Sequence, residues 1–357
     1  MKNLNIIVTG GAGFIGSALI RWLLTNTKHK IINIDKLTYA GNLDSIPNNI
    51  INENYHFERV DIVDQKALSR IFSYYQPDLV FHLAAESHVD KSLTNPDAFI
   101  KTNINGTYSM LLTSYKYWKS VRSSNKSFLF HHVSTDEVFG DLGSTNEMFT
   151  EDSKYDPSSP YSASKASSDH LVSAWGRSFD LPYVMTNCSN NYGPYQFPEK
   201  LIPHMIINAS KGEKLPIYGN GTQIRDWLYV DDHVEALYKV ATSAKTFSHY
   251  NIGGWNEMKN IDVVNMICSE LDLLIHDKPK HISSFKELID FVDDRPGHDK
   301  RYAIDASKIN NDIGWKPKEN FESGLKKTIE WYLNSSDWIE RVISGEYILK
   351  RQGILSD

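Results

Sequence analysis

The sequence contains few cysteines, no long hydrophobic run and no run of basic residues. Cys188 and Cys268 are the only cysteines among its 357 residues. Two thiols are too few for a disulfide framework, which favours a reducing compartment, so we expect a cytoplasmic protein. No apolar segment reaches the length of about 20 residues that a membrane-spanning helix needs, and the amino terminus lacks a signal-peptide pattern, so we expect no membrane partner.

The charge balance is mildly acidic, because 44 Asp and Glu residues oppose 38 Lys and Arg residues and give a net charge of −6. This balance argues against nucleic acid as a partner. Hydrophobic residues at 41% and charged residues at 23% are ordinary for a soluble globular protein. The length permits a large core and predicts two lobes rather than one.

A dinucleotide-binding turn is predicted near the amino terminus. Residues 4–8 form a short apolar run, which Gly10, Gly13 and Gly16 follow. Glycines at this spacing allow a tight turn, close approach of the backbone to a pyrophosphate, and close packing of the next helix on the sheet. Because a helix and a second strand follow in the required order, we favour a dinucleotide site over an ordinary strand-to-helix turn.

The predicted second strand, residues 30–34, leads directly into Asp35. A carboxylate at this distance from the last glycine binds the ribose hydroxyls of adenosine and repels a 2′-phosphate. We therefore expect NAD rather than NADP as the cofactor. Lys36 and Thr38 follow this carboxylate, and Lys36 is a cation that could favour the opposite choice.

The alternation of strands and helices continues beyond this point. Residues 56–60 predict a third strand that ends at Asp61, and residues 64–75 predict a helix. Asp61 is either a contact to adenine or an acidic residue at the start of that helix, and the sequence leaves both interpretations open.

A fourth, buried strand is predicted over residues 78–83, and a loop with Ser87, His88 and Asp90 follows it. Ser87 is a candidate for binding a substrate hydroxyl or phosphate, whereas we interpret His88 and Asp90 as structural hydrogen-bonding residues. A long helical stretch is then predicted over residues 95–119. Its aromatic side packs either on the sheet or against a second subunit.

The densest set of reactive side chains lies in the middle of the chain. An apolar run, residues 127–133, predicts a buried strand, and Asp136 and Glu137 follow it. Tyr161 and Lys165 stand four residues apart behind a proline, so a helix beginning there places both on one face. Ligands of open α/β sheets bind at the carboxyl ends of the strands, so we expect these groups to share a cleft. From the residues alone, Asp136 and Glu137 fit a structural acidic turn as well as they fit a catalytic site.

The regular alternation ends after residue 187, where Pro and Gly become dense. We expect a Rossmann domain over residues 1–187, with segments around 228–254 returning to it, and a ligand-covering lobe mainly over 188–357. The predicted fold class is α/β, a Rossmann-like doubly wound parallel sheet with a smaller, mixed α/β carboxyl-terminal substrate lobe.

Basic side chains gather around Arg225, Arg295 and His298. Each site is either a solvated turn or part of an anion clamp, and we favour the clamp because Arg presents a planar fork that matches phosphate.

No metal site is predicted. His131 and His132 lie on an apolar strand, where alternate faces cannot both point at one ion.

The chain resembles the extended short-chain dehydrogenase/reductase family through its glycine turn and through Tyr161 with Lys165. More narrowly, it is similar over nearly its whole length to the nucleotide-sugar 4,6-dehydratases of deoxysugar synthesis. The specific signal is the triplet Thr135, Asp136 and Glu137, because the related sugar epimerases lack the acidic pair after the threonine. The chain departs from the pattern in a shorter loop over residues 140–156, which could alter the lid of the site.

The resemblance implies a mechanism on dTDP-glucose. Tyr161, with its pKa lowered by Lys165 and by the nicotinamide charge, would take the proton of the sugar 4-hydroxyl while hydride passes from C4 to NAD. Glu137 would remove the C5 proton that the 4-ketone acidifies, and a protonated Asp136 would donate to the departing C6 hydroxyl. Thr135 would hold the 4-oxygen. Hydride would return to C6.

The resemblance also implies contacts for each ligand, and a homodimer. The implied cofactor contacts are Gly10, Gly13, Phe14, Ile15, Gly16, Asp35, Lys36, Leu37, Thr38, Asp61, Ile62, Leu83, Ala84, Ala85, Thr102, Tyr161, Lys165 and Asn191. The implied substrate contacts are Ser87, Thr135, Asn190, Glu199, Lys200, Leu201, Pro216, Tyr218, Arg225, Asn260, Arg295 and His298.

Three other functions remain open at this point. A UDP-glucose 4,6-dehydratase would share the chemistry, and a nucleotide-sugar 4-epimerase would share C4 oxidation but return hydride to C4. A non-catalytic nucleotide-sensing protein could keep the Rossmann lobe for binding alone. The presence of Tyr161, Lys165, Asp136 and Glu137 together argues against this last function.

Overall fold

A parallel sheet organises the amino-terminal two thirds of the chain in the computed structural model, which describes residues 3–124, 126–295 and 297–344. Within these residues it has seven strands in the order β3-β2-β1-β4-β5-β6-β10. All six neighbouring pairs are parallel. The strands are β1 (Asn5–Thr9), β2 (Lys30–Asp35), β3 (Tyr55–Arg59), β4 (Leu79–His82), β5 (Leu129–Thr135), β6 (Tyr183–Cys188) and β10 (His249–Ile252).

Helices cover both faces of this sheet. One apolar core joins α1, α8 (Val230–Ser243) and α10 (Ser307–Ile313) to one face, and a second joins α2, α5 and α6 to the other. The amino-terminal helices are α1 (Phe14–Asn26), α2 (Gln65–Tyr75), α3 (Val89–Thr94), α4 (Pro96–Phe99), α5 (Thr107–Val121) and α6 (Pro160–Phe179). The prediction of a doubly wound Rossmann-like sheet is confirmed.

Smaller sheets and their helices form a lobe with its own apolar core. Strands β7 (Asn190–Tyr192), β9 (Ile224–Tyr229) and β11 (Glu257–Lys259) make a mixed sheet, and β8 (Leu215–Tyr218) pairs in parallel with β12 (Ile289–Val292). The remaining helices are α7 (Leu201–Ser210), α8 (Val230–Ser243), α9 (Asn260–Leu274), α10 (Ser307–Ile313), α11 (Phe321–Leu333) and α12 (Ser336–Ser344). Across the described ranges, no helix is long and apolar enough to cross a membrane.

The long helical stretch predicted from residue 95 is divided in the structure. A π-helical segment, Ile100–Gly106, separates α4 from α5. Asn103 within it donates to the backbone oxygen of Glu86 at 3.0 Å and to Ser164 Oγ at 2.8 Å. A Cβ on Gly106 would lie 2.4 Å from Ile62 Cδ1, so this turn also packs tightly against the loop after β3. The irregular turn therefore joins α6 to the loop that follows β4.

Candidate active site

One cleft opens at the carboxyl ends of the central strands, where the sheet meets the smaller lobe. It brings together side chains and backbone from both lobes. Its lining consists of Gly10, Gly13, Phe14, Ile15, Gly16, Ile34, Asp35, Lys36, Thr38, Ala40, Gly41, Val60, Asp61, Ile62, Leu83, Ala85, Glu86, Ser87, Thr102, Val133, Ser134, Thr135, Asp136, Glu137, Tyr161, Lys165, Cys188, Ser189, Asn190, Asn191, Gln196, Phe197, Glu199 and Lys200.

The glycine turn between β1 and α1 has the shape that a pyrophosphate needs. Gly10 has φ of +70°, and a Cβ there would lie 2.8 Å from the backbone of Ala84. A Cβ on Gly16 would lie 2.1 Å from the carbonyl oxygen of Gly10, so α1 can approach the turn only without a side chain. Gly13 lines the cleft at the start of α1, where backbone amides face an anion. These residues fit the phosphates of a dinucleotide.

Asp35 ends β2 at the edge of the cleft. Its two carboxylate oxygens accept hydrogen bonds from the amides of Ala12 at 3.0 Å and Leu37 at 2.8 Å. Lys36 does not offer a separate positive charge to the cleft, because its ammonium lies 3.7 Å from Asp61 and 3.8 Å from Glu86. Acidic groups therefore dominate this end, which fits ribose hydroxyls and disfavours a 2′-phosphate.

Asp136 and Glu137 follow β5 in a short 3₁₀ turn over Asp136–Phe139. Thr135 caps this turn, since its Oγ1 accepts from the amide of Glu137 at 3.3 Å. Asp136 is 1% exposed, and its Oδ2 has no hydrogen-bond partner within the described residues. The strand end thus delivers a hydroxyl and two carboxyl groups to the floor of the cleft.

The two carboxyl groups are in different electrostatic surroundings. Burial, reinforced by the charges of Glu137 and Asp226, raises the pKa of Asp136 well above its ordinary value. Burial also raises the pKa of Glu137, but the cations Arg295, Lys200 and Arg225 oppose this rise. Asp136 is therefore the better proton donor, and Glu137 is the better proton acceptor.

Tyr161 and Lys165 lie in the first turns of α6, as the sequence predicted. The helix begins with Ser159 as its cap and Pro160 in its first turn. The ammonium of Lys165 donates to the carbonyl oxygen of Val133 at 2.9 Å, which ties the helix to β5. Both side chains line the same cleft as the acidic pair.

The pKa of the Tyr161 phenol is higher than the mechanism implied by the family resemblance requires. Burial raises its pKa well above the ordinary value, and the negative charge of Glu137 adds to this rise. The bond to Thr135 opposes it, but Lys165 is not among the main causes. The expectation that Lys165 lowers this pKa is therefore not supported by the chain alone, and added positive charge in the cleft is needed to form a phenolate.

The smaller lobe contributes Glu199 and Lys200 to the cleft. Glu199 accepts from the hydroxyl of Tyr39 at 3.1 Å and from the ammonium of Lys91 at 3.2 Å. Lys200 donates to the backbone oxygen of Ser87 at 3.0 Å. These bonds join the smaller lobe to the loops after β2 and β4, and they bring three of the predicted substrate residues together.

Several predicted substrate residues lie outside the lining of this cleft in the part of the chain that the structure describes. Arg225 is 6% exposed, stacks on Tyr302 at 4.5 Å, and donates to the backbone oxygen of Asp299 at 2.9 Å. Tyr218 donates to Asp90 at 3.0 Å. The other members of this group are Leu201, Pro216, Asn260, Arg295 and His298.

Arg295 and His298 form contacts with acidic side chains. Arg295 lies 3.6 Å from Asp90, and His298 Nδ1 lies 2.6 Å from Asp294. The predicted cofactor residues Leu37 and Ala84 also lie outside the lining, within the described ranges. Ala84 donates its amide to Thr9 Oγ1 at 3.2 Å.

Sequence reasoning missed part of the lining. The missed residues are Ile34, Ala40, Gly41, Val60, Glu86, Val133, Ser134, Cys188, Ser189, Gln196 and Phe197. Ser134 and Ser189 each lie next to a predicted site residue, at the ends of neighbouring strands. Their position at the strand ends could have identified them as lining residues. Gln196 and Phe197 lie in a loop of the smaller lobe, where no periodic pattern marks them.

The histidines on β5 serve structural roles. His131 Nε2 bonds Thr186 Oγ1 at 3.1 Å, and His132 Nε2 bonds Asp169 at 2.9 Å. Burial lowers the pKa of His131 to about 3. Among the described residues, no group of three or more His, Cys, Asp and Glu side chains could hold a metal ion.

Comparison with known proteins decides the family. The model of the GDP-mannose 4,6 dehydratase family matches residues 7–328. The chain belongs to this family. Curated members named dTDP-glucose 4,6-dehydratase include one from Escherichia coli, which is 58% identical over 99% of this chain and 100% of its own length. Another, from Neisseria meningitidis, is 57% identical over 98% of each chain.

Solved structures of the family share this architecture. The dTDP-glucose 4,6-dehydratase of Bacillus anthracis in complex with NAD has a TM-score of 0.82 and 41% identity, and covers 95% of this chain and 99% of its own. The enzyme of Streptomyces venezuelae, with NAD and dTDP bound, has a TM-score of 0.86 and 37% identity over 95% and 100% of the two chains. A UDP-glucose 4-epimerase of Thermotoga maritima reaches 0.80 with 29% identity over 93% and 100%. The fold alone therefore does not separate dehydratases from epimerases.

Proposed function

We propose that the chain dehydrates dTDP-glucose to dTDP-4-keto-6-deoxyglucose, a precursor for deoxysugars of the rhamnose type. The observation that carries this proposal is the buried pair Asp136 and Glu137, which shares one cleft with Tyr161 and Thr135. An epimerase has no water to remove and so needs no second acid and base. The names of relatives more than 50% identical to this chain support the same substrate.

The cleft fits NAD as its cofactor. The glycine turn would hold the pyrophosphate and Asp35 the adenosine ribose, and Thr102 and Asn191 also line the cleft. When bound, NAD supplies a hydride acceptor for sugar C4 and a hydride donor for C6. Its positive nicotinamide ring also adds the charge that a phenolate at Tyr161 requires.

The first step assigned to the chain is proton removal from the sugar 4-hydroxyl. Tyr161 accepts this proton, and Lys165 stabilises the phenolate that receives it. Thr135 is placed to hold the 4-oxygen, because it lines the same cleft as Tyr161 at the end of β5. With bound NAD as the acceptor of the C4 hydride, loss of this proton would leave a ketone at C4, which acidifies the hydrogen on C5.

The second step is elimination across C5 and C6. Glu137 takes the C5 proton, and Asp136 gives its proton to the C6 hydroxyl, which leaves as water. The proton on Glu137 exchanges with solvent, and Glu137 then returns a proton to C5 as C6 receives hydride. The pKa values of both carboxyl groups are raised by burial, but nearby cations oppose the rise at Glu137, and this difference supports the division of roles.

We propose that the nucleotide end of the substrate lies against the smaller lobe, which is mainly residues 188–357, while residues 1–187 with segments around 228–254 hold NAD. Lys200 lines the cleft with Asn190, whose buried Oδ1 has no partner within the described residues. Binding of the diphosphate would draw Arg225 and Arg295 toward the cleft, since Arg matches phosphate oxygens. The other proposed contacts are Ser87, Glu199, Leu201, Pro216, Tyr218, Asn260 and His298.

Mass spectrometry of the product tests this function. The purified chain is offered dTDP-glucose and UDP-glucose separately, and we expect loss of one water from the dTDP-sugar. A product of unchanged mass from either sugar would favour a 4-epimerase and overturn the proposal. Dehydration of the UDP-sugar alone would replace the proposed substrate with UDP-glucose.

The Asp35 carboxylate is expected to set the preference for NAD. Asp35→Asn should weaken NAD about tenfold, because a charged acceptor for the ribose is lost, and should narrow the gap between NAD and NADP. Calorimetric titration of each cofactor measures both effects. Asp44→Asn, an exposed acid of the same lobe, is the matched control. An unchanged ratio of the two affinities would contradict this role of Asp35.

We propose that the enzyme is a homodimer built on α5 and α6. Tyr108 and Phe179 are each 41% exposed, and both rings contact Trp175. An exposed aromatic cluster on two adjacent helices suits a self-complementary interface.

Two buried free thiols, Cys188 and Cys268, support a reducing compartment, and we propose the cytoplasm.

Light scattering at micromolar concentration tests the dimer. We expect the mass of two chains for the unaltered protein and of one chain for Tyr108→Glu with Phe179→Glu, because buried carboxylates without partners are costly. Leu273→Glu, at a 69% exposed position of the smaller lobe, should leave the dimer intact. A monomeric unaltered protein would refute the proposal.

A further inference from the structure

Residues 87–91, which follow β4 and begin α3, connect the central sheet to the smaller lobe. The backbone oxygen of Ser87 accepts from the ammonium of Lys200 at 3.0 Å. Asp90 and Lys91 lie side by side in the first turn of α3, and each bonds a side chain of the smaller lobe. The mechanism above uses neither of these two charged residues.

Asp90 joins two residues of the smaller lobe through one carboxylate. Its Oδ2 accepts from the hydroxyl of Tyr218 at 3.0 Å, and its Oδ1 lies 3.6 Å from Arg295 Nε. The side chains of Asp90 and Arg295 are only 12% and 15% exposed, so this pair is less screened by water and salt than a surface ion pair. Because Arg295 makes the contact through Nε, its two terminal nitrogens can still bind phosphate oxygens.

Lys91 holds the carboxylate of Glu199. Its ammonium donates to Glu199 Oε2 at 3.2 Å and lies 3.0 Å from the centre of the Tyr39 ring, while the Tyr39 hydroxyl donates to Oε1 at 3.1 Å. The Glu199 side chain is 3% exposed, and a carboxylate so deeply buried needs such partners. His88 Nε2 lies 3.6 Å from the same Oε2, but burial lowers the pKa of His88 to about 2. Lys91 rather than His88 therefore supplies positive charge to Glu199 at physiological pH.

The partners of Asp90 and Lys91 lie in different parts of the substrate site. Glu199 lines the cleft that also contains Glu137 and Tyr161, whereas the two partners of Asp90 lie outside that lining within the described ranges. Adjacent residues of a helix project about 100° apart, which lets one short turn reach both places. Under the proposed function, the reacting sugar lies beside Glu199 and the nucleotide lies beside the partners of Asp90.

We propose that Asp90 and Lys91 are positioning residues for the nucleotide sugar. Asp90 fixes Tyr218 and Arg295 for the nucleotide, and Lys91 fixes Glu199 for the glucose ring. Their roles rest on the proposed function for the identity of the ligand. Within the part of the chain that the structure describes, neither side chain lines the cleft, so both act on binding through their partners.

Two ligands that differ by the glucosyl group test these roles. Calorimetric titration of the NAD-loaded chain with dTDP measures binding of the nucleotide alone, and KM for dTDP-glucose measures the whole substrate. Asp90→Ala should weaken dTDP binding and raise KM by about tenfold each, because its partners serve the nucleotide. Lys91→Met should raise KM by about tenfold and leave dTDP binding unchanged. In both variants kcat should change by less than about twofold, since only binding is lost.

Asp97→Ala and Lys101→Met are matched controls, because they make the same substitutions at exposed positions close in the chain, and both should behave as the unaltered chain. Where Asp90→Ala or Lys91→Met does not fold, Asp90→Asn or Lys91→Gln serves in its place. Each of these removes the charge but keeps a hydrogen-bonding group, and should give the same pattern at about threefold. Lys91→Arg keeps the charge and should return KM to within about twofold of the unaltered chain.

A purely structural role predicts that every variant weakens both ligands alike and lowers kcat. Equal losses for dTDP and dTDP-glucose in the Lys91 variant, or unchanged dTDP binding in the Asp90 variant, would overturn the inference. An unaltered chain that binds dTDP but fails to dehydrate dTDP-glucose would instead overturn the proposed function. Calorimetric titration with dTDP-glucose, which would then not be consumed, would still test the inference in place of KM.

Discussion

Glu137→Gln and Asp136→Asn are each expected to slow release of 4-keto-6-deoxy product by about a thousandfold while leaving C4 oxidation in place. Either amide keeps the shape of the side chain and removes its proton transfer. The oxidation step depends on Tyr161 and precedes the elimination. Substrate added to either variant should therefore reduce the bound cofactor and then stop.

Stopped-flow absorbance follows the reduced cofactor, and chromatography of the quenched mixture follows the product. Glu147→Gln and Asp44→Asn are matched controls, because they make the same substitutions at exposed positions, and both should behave as the unaltered enzyme. If Glu137→Gln or Asp136→Asn lost oxidation and elimination in equal measure, the proposed division of roles would be wrong. The acidic pair would then act in binding.

Tyr161→Phe is expected to lower the rate of C4 oxidation itself by about a thousandfold, because the base for the 4-hydroxyl is lost. Neither cofactor reduction nor product should be seen at normal enzyme concentration. Tyr183→Phe is a matched control, since Tyr183 and Tyr161 are both 8% exposed. The fast absorbance change on mixing with dTDP-glucose measures the effect.

The unaltered enzyme should also show a pH dependence that originates at Tyr161. Burial and Glu137 raise the pKa of this phenol, so its active phenolate form is favoured as pH rises. C4 oxidation should accelerate from acidic toward alkaline pH. A Tyr161→Phe enzyme that still oxidised its substrate at the normal rate would exclude the phenol as base.

Sequence order and spacing were sufficient to predict the sheet and the reactive centre. The strand, glycine turn, helix and Asp35 follow one another locally, and Tyr161 and Lys165 are related by one helical turn. The position of Asp136 and Glu137 directly after a buried strand places them at the cleft, whereas their catalytic roles are implied by the resemblance to the 4,6-dehydratases. Each of these signals lies within a short segment of chain.

Features that depend on distant contacts could not be predicted in the same way. The π-helical turn before α5 depends on bonds from Asn103 to Glu86 and Ser164, which periodicity cannot reveal. Strands β7 and β11 have only three residues each, too few for an alternating pattern. Asp169 looks like an ordinary polar residue of a helix until its partners from β5 and β6 are known.

The electrostatics of the cleft also depend on the folded chain. The family resemblance implied that Lys165 lowers the pKa of Tyr161, yet burial and Glu137 raise it. The pairing of Lys36 with Asp61 and Glu86 favours NAD in a choice that the sequence left open, because it offsets the charge of the cation that follows Asp35. Burial and partner identity, rather than residue type, determine both results.

Dehydration of dTDP-glucose in deuterated water is the most direct test of the central claim, that Asp136 and Glu137 eliminate water after Tyr161 initiates oxidation. The account predicts a product that has lost one water and carries one solvent deuterium at C5, located by nuclear magnetic resonance. A product of unchanged mass without deuterium at C5 would contradict it, because hydride would then have returned to C4 without elimination.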